Sequence, residues 1–322
     1  MKTVERDCEL ADLNLYDVNR LADTLSVQSL NIWRGNCLED GSPIDPAVKV
    51  VLSRKGRAYT GWMIPFIIAV DKMLLGGRWL WWLTALMYGR IPNEPLPKIN
   101  FHEISESDDA KAVNKHLEEM ISRLEGKYGS WLESLEVFVD WLLWGIAEGN
   151  YPERLKDEDH AYLYQNFQVG LLQQTPADYL GAMVEHYKRK NKDNRHSFFV
   201  TPMPIIRFMS SSTAMLSDKE KGIFNSYFDP CVGSGRFLMG NGNYTIFLYG
   251  QDIDPLMVKL CKWNVHLYQP WGALPVRPTE EPPYYHIPIA ITAVALKRFE
   301  VYYSAAKGLI DACLNENKGG RE

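Results

Sequence analysis

The chain has 322 residues, an apolar share of 46% and a formal net charge of −5. That length suits roughly two domains of 100–200 residues, and the acidic balance excludes nucleic-acid binding by overall charge, so any DNA contact must be a local patch. Cys8, Cys37, Cys231, Cys261 and Cys313 are scattered without CxxC spacing, which argues for a reducing compartment and against a zinc site or a disulfide framework.

The N-terminal "MKTVERDCELADLNLYD" is polar and charged, unlike a signal peptide, and the expected location is the cytoplasm. Apolar residues recur at helical spacing over 11–33, 46–56, 62–89, 107–126, 129–148 and 176–190. The stretch "GWMIPFIIAVDKMLLGGRWLWWLTALMYG" (61–89) is long enough to span a bilayer. Asp71, Lys72 and Arg78 interrupt it and Gly76-Gly77 divides it, so it predicts two core helices or a helical hairpin rather than a membrane span. Clustered Pro, Gly and Asn predict loops at 90–100 and 148–160. The many tryptophans and tyrosines read either as helical core or as stacking platforms for bases. The lack of interleaved basic residues favours core.

"HYKRKNKDNRHS" (186–197) is basic and turn-rich. Lys188, Arg189, Lys190, Lys192 and Arg195 form a candidate phosphate-contacting patch, with a solvated helix end whose cations suit the helix dipole as the competing reading. From 198 the pattern alternates: helix 203–215, strand 224–229, short helix 234–240, strand 244–251, helix 255–268. Such alternation marks a parallel α/β sheet. The expected organisation is a helical N-terminal domain over 1–175 and an α/β domain over 176–322.

Within the second part, "NSYFDPCVGSGRFLM" gives an apolar strand, a glycine turn and a helix start. Ligands bind outside the carboxyl ends of strands in open α/β sheets. Gly233 and Gly235 permit positive φ and close backbone approach, and Ser234 is placed to cap the next helix. Cys231 reads as a small packing residue, with no basic partner beside it in sequence. The second strand, "YTIFLYGQDID", ends in acids about 20 residues on, where a carboxylate accepts from ribose hydroxyls. Asp252 falls at the strand end. Ile253 is positioned to pack on an adenine ring, and Asp254 precedes Pro255 as a helix cap. The pattern predicts an adenosine-type cofactor. It lacks both the third glycine of the dinucleotide fingerprint and the GK[ST] of a triphosphate loop.

Four motifs in order, "DYLGAMVEHY" (178–187), "FFVTPMPIIRFM" (198–209), "FDPCVGSGRFL" (228–238) and "LYGQDIDPLMVKLCKWNVHLY" (248–268), make the chain resemble the N6-adenine DNA methyltransferases, especially the modification subunits of type I restriction-modification systems. The resemblance implies S-adenosylmethionine as cofactor, DNA as substrate and a Rossmann-like class I methyltransferase parallel sheet, complete or truncated. It implies that Phe199, Thr201 and Pro202 contact the methionine part of the cofactor. It further implies that Asp229, Pro230, Gly233, Ser234 and Gly235 line the cofactor's amino-acid end, and that Asp252 and Ile253 hold the nucleoside.

The family methylates adenine N6 with an Asn or Asp followed by Pro-Pro and an aromatic. Its acceptor oxygens bind the amino hydrogens of a base flipped from the duplex. The one near match is Glu281-Pro282-Pro283-Tyr284. There an added methylene displaces the acceptor oxygen, and the preceding "QPWGALPVRPTE" reads as loop rather than strand. Too few residues follow 268 for the remaining strands of a complete methyltransferase sheet. Three readings stay open: an active adenine methyltransferase, a catalytically inactive module that binds S-adenosylmethionine or DNA, and a chain whose site is completed by a partner or specificity subunit. Methylation of protein glutamine, which uses a related Pro-Pro-aromatic motif, meets the same departure at Glu281.

Overall fold

The computed structural model describes residues 63–146, 148–191 and 199–286. The helices expected over 11–33 and 46–56, together with Lys192 and Arg195, lie outside the described residues.

The apolar stretch after residue 62 forms two helices, α1 (Ile64–Leu74) and α2 (Arg78–Tyr88). The break falls at Gly76 and Gly77, with φ of 79° and 76°, a left-handed backbone that side chains with a Cβ disfavour. Asp71 and Arg78, which interrupt the apolar run, are both fully buried. Asp71 Oδ2 accepts from the Trp79 amide at 2.9 Å, and Arg78 lies 4.4 Å from the Trp271 ring centre.

Helix α3 (Asp108–Leu124) starts where Ser107 accepts from the Ala110 amide, and it buries Ala110, Val113, Leu117, Met120, Ile121 and Leu124 along one face. Helix α4 (Trp131–Gly145) begins with a reciprocal capping box between Ser130 and Glu133. Two helices follow: α5 (Asp157–Asn166), which begins inside the loop expected over 148–160, and α6 (Val169–Gln174). Asp157, Glu158 and Asp159 occupy the first turn of α5, where negative charge suits the helix dipole. Tryptophans 79, 82, 141 and 144 are at most 2% exposed, and Trp81 and Trp82 meet Trp271 edge-on at 6.0 and 6.4 Å. These tryptophans are core.

The second part runs α7 (Tyr179–Lys190), α8 (Met203–Leu216), β1 (Ser226–Asp229), α9 (Arg236–Asn241), β2 (Phe247–Gly250), α10 (Pro255–Tyr268) and α11 (Pro270–Ala273). A short antiparallel hairpin, β3 (Arg277–Pro278) with β4 (Tyr285–His286), follows. Strands β1 and β2 pair in parallel from Ser226↔Phe247 to Asp229↔Gly250, with α9 as the crossover. The fold is therefore helix-rich, with a small parallel sheet of two strands among the described residues.

One apolar core runs from Met63 in the first helices through α10 and α11 to Tyr285. Tyr268 of α10 ties the two parts together: its hydroxyl lies 2.9 Å from the Leu172 carbonyl and accepts from the Ala177 amide at 3.3 Å. Among the described residues, no helix is long and apolar enough to cross a membrane.

Candidate functional site

A cleft of about 750 Å³ opens at the carboxyl ends of β1 and β2, a size suited to a small-molecule ligand. Its walls include Phe199 and Thr201, the loop Asp229–Ser234, and Asp252 with Ile253. The structure thus gathers most of the residues singled out for cofactor binding. Pro202 and Gly235 do not line it; each follows a lining residue, Thr201 and Ser234, in the chain.

The glycine loop is held by backbone and carboxylate together. Asp229 Oδ1 accepts from the Cys231 amide at 3.0 Å, and its other oxygen accepts no hydrogen bond among the described residues. The Val232 amide donates to the Gln251 carbonyl at 2.9 Å, and the Gln251 amide to the Asp229 carbonyl at 3.0 Å, so the strand pairing continues into the loop. Gly233 and Gly235 have φ of 52° and 94°. At Gly235 an added Cβ would also come within 2.9 Å of Cys261 Sγ.

Asp252 locks the two loops to each other. Its Oδ2 accepts from the Gly233 amide and its Oδ1 from the Asp254 amide, both at 2.9 Å. Each oxygen keeps a lone pair for a further donor. Asp254 caps α10 by accepting from Leu256, as the Asp-Pro signal predicts. Phe199 is 78% exposed and Ile253 82%, leaving two apolar side chains bare on the cleft.

Beneath the loop lies a buried polar cluster that sequence reasoning missed. Asp178, 1% exposed, is the N-cap of α7 and accepts four hydrogen bonds. Ser234 Oγ donates to Oδ2 at 2.5 Å and Arg236 Nε at 2.9 Å, while Oδ1 takes the Gly181 amide and Asn264 Nδ2, each at 3.0 Å. Asn264 also donates to the Ser234 carbonyl at 2.8 Å. Ser234 is therefore not the cap of α9: its hydroxyl turns inward and donates to a buried carboxylate, and α9 starts at Gly235 without a side-chain cap. The signal available in sequence was Asp178 itself, an N-cap residue ahead of an apolar helix.

The remaining candidates are not in the cleft. Tyr284 packs 6.1 Å from the Phe224 ring, and its neighbour Tyr285 stacks on the same ring at 5.2 Å. Phe224 precedes the first residue of β1, so Glu281-Pro282-Pro283-Tyr284 sits at the amino end of that strand while the cleft lies at its carboxyl end. Glu281, Pro282 and Pro283 are exposed. In the basic patch, Lys188 is only 8% exposed and its ammonium lies 3.3 Å from Asp254 Oδ2, pinning α7 to the cap of α10. Arg189 and Lys190 face solvent.

Cys261 lies behind the loop, and burial pushes its thiol up to about 12. Cys231 is exposed on the cleft wall.

Residues 176–270 match the family model described as N-6 DNA Methylase. This supports the adenine N6 DNA methyltransferase family for the segment that builds the cleft. Glu281–Tyr284 and the helices before α7 fall outside the match. No curated protein and no solved structure matches the chain.

Proposed function

We propose that the cleft binds S-adenosylmethionine and that the chain serves methyl transfer to the N6 amino group of adenine in DNA. One observation carries the reading: Asp229, the glycine loop and Asp252 converge on one cleft within the segment that matches the methylase family. The donor set suits this cofactor. Asp252 offers acceptor lone pairs to ribose hydroxyls, and Asp229 offers one to the ammonium of the amino-acid end. Ile253 and Phe199 offer apolar surface to a flat ring and to the methionine chain. Thr201 completes the wall on that side.

When bound, S-adenosylmethionine supplies an electrophilic methyl group on a sulfonium. The chain's own residues hold the two ends of the cofactor and fix the line of approach. Positioning of this kind accounts for much of the rate in such reactions.

The position of Glu281–Tyr284 beside Phe224 favours a second reading of the catalytic half. Here the groups that receive adenine come from residues after 286 or from a partner subunit, and this part of the chain contributes the cofactor. Transfer of labelled methyl to adenine-containing DNA by the purified full chain tests the first reading. Cofactor binding without transfer, with transfer restored by a partner fraction, supports the second. Neither binding nor transfer rejects both.

A further inference from the structure

Glu103 precedes the family-matched segment, yet its carboxylate reaches the cleft wall. Its Oε1 accepts from the Met203 amide at 2.5 Å and from Arg236 Nη1 at 3.0 Å. The same Arg236 nitrogen donates to the Thr201 carbonyl at 3.0 Å, and Thr201, Ser234 and Arg236 all line the cleft. One carboxylate oxygen thus holds both sides of Pro202: the Met203 amide directly, and the Thr201 carbonyl through Arg236.

The chemistry explains why a carboxylate is needed there. Arg236 is 5% exposed, and a buried guanidinium requires charged partners to offset its lost hydration. Asp178 is one partner, but it also serves Ser234, Asn264 and the Gly181 amide. Glu103 is the other. Helix α8 has no side-chain cap from its own N-cap residue, Pro202, so an acceptor for its first amide must come from elsewhere.

The segment carrying Glu103 is itself fastened to the cleft-forming part. The Ile99 amide donates to Asn243 Oδ1 at 2.9 Å, Asn243 Nδ2 returns a bond to the Ile99 carbonyl at 2.8 Å, and the His102 amide donates to the Pro176 carbonyl at 2.9 Å. Ile99 and Phe101 are buried. Arg207 of α8 reaches back to Asn100 and the Phe101 carbonyl.

We infer that Glu103 is a positioning residue for the cofactor cleft, through which the helical part of the chain sets the shape of the Thr201–Pro202 wall. The inference rests on the S-adenosylmethionine reading of that cleft. Its test uses the full chain with the variants Glu103→Ala and Glu103→Gln, titrated calorimetrically with S-adenosylmethionine while amide exchange is followed across 199–206. With circular dichroism unchanged, Glu103→Ala should weaken binding roughly tenfold or more and speed exchange at the Met203 amide. Glu103→Gln keeps an acceptor but not the charge, and should weaken binding only about threefold.

Wild-type affinity in a folded Glu103→Ala protein overturns the inference. Should that variant fail to fold, Glu103→Gln decides: unchanged affinity with unchanged exchange over 199–206 overturns it as well. If the wild-type chain binds no S-adenosylmethionine, the cofactor reading is what fails. The positioning role then rests on exchange alone, kept by faster exchange at Met203 in Glu103→Ala and removed by no change.

Discussion

Asp252 Oδ2 accepts the Gly233 amide at 2.9 Å, so the acid at the end of the second strand and the glycine turn after the first form one rigid corner. A ligand held by that carboxylate is also placed against the loop backbone.

Asp178 holds the corner from below. Removing its carboxylate leaves Arg236 with Glu103 as its remaining acidic partner among the described residues and strips acceptors from Ser234 and Asn264. Breaking a buried ion pair by removing one partner costs about 3–5 kcal/mol. Asp178→Ala should lose stability on that scale in urea denaturation, whereas Asp108→Ala, at an exposed surface pair, should lose far less.

Asp71 gives stability a pH dependence. Burial pushes its carboxyl up to about 7, against the Trp79 amide and the Arg78 guanidinium, which pull it down. In the unfolded chain its ordinary value is 3.8. The folded state therefore holds this proton more tightly, so the contribution is complete below about pH 4 and is lost as pH rises through 7. Asp71→Asn should remove that loss. Thermal melts from pH 5 to 8 should show the variant gaining on the wild type as pH rises, and a constant difference would count against the argument.

The two described cysteines should differ sharply toward iodoacetamide. Cys231 is exposed on the cleft wall, while Cys261 is buried with its thiol pushed up to about 12. Peptide mapping should find Cys231 alkylated in the native protein and slowed by S-adenosylmethionine, with Cys261 alkylated only after unfolding. Equal labelling of Cys231 with and without saturating cofactor would separate it from the binding site.

Glu281 packs no wall of the cleft. Glu281→Ala is therefore expected to leave S-adenosylmethionine affinity within about twofold of wild type, the scale of a surface substitution. A large loss of affinity would mean that the tetrapeptide reaches the cofactor after all.

Local signals were legible where chemistry and chain order coincide. Asp254-Pro255 marked the start of α10, the glycine pair marked the break between α1 and α2, and the strand–glycine–acid pattern led to Asp229, Gly233 and Asp252 in one cleft. What stayed hidden depends on distant residues. Asp178, Arg236 and Asn264 meet only in three dimensions, and nothing near Glu103 in sequence announces its bond to Met203, 100 residues away. At 157–159 the proline and glycine just before the acidic run dominate the local pattern and mask its helix start, although acids in a first turn are a helix-start signal. Phe224, expected as strand, instead closes a 3-10 turn ahead of β1, where the β3–β4 hairpin packs on it. The same packing draws the Pro-Pro-aromatic tetrapeptide away from the cleft.

Calorimetric titration of the full chain with S-adenosylmethionine decides whether this corner holds the cofactor. Saturable binding is predicted, weakened roughly 10- to 100-fold in Asp252→Ala, which removes acceptors from the ribose and releases the Gly233 amide. No binding by the wild-type chain, or equal affinity in Asp252→Ala, would contradict it.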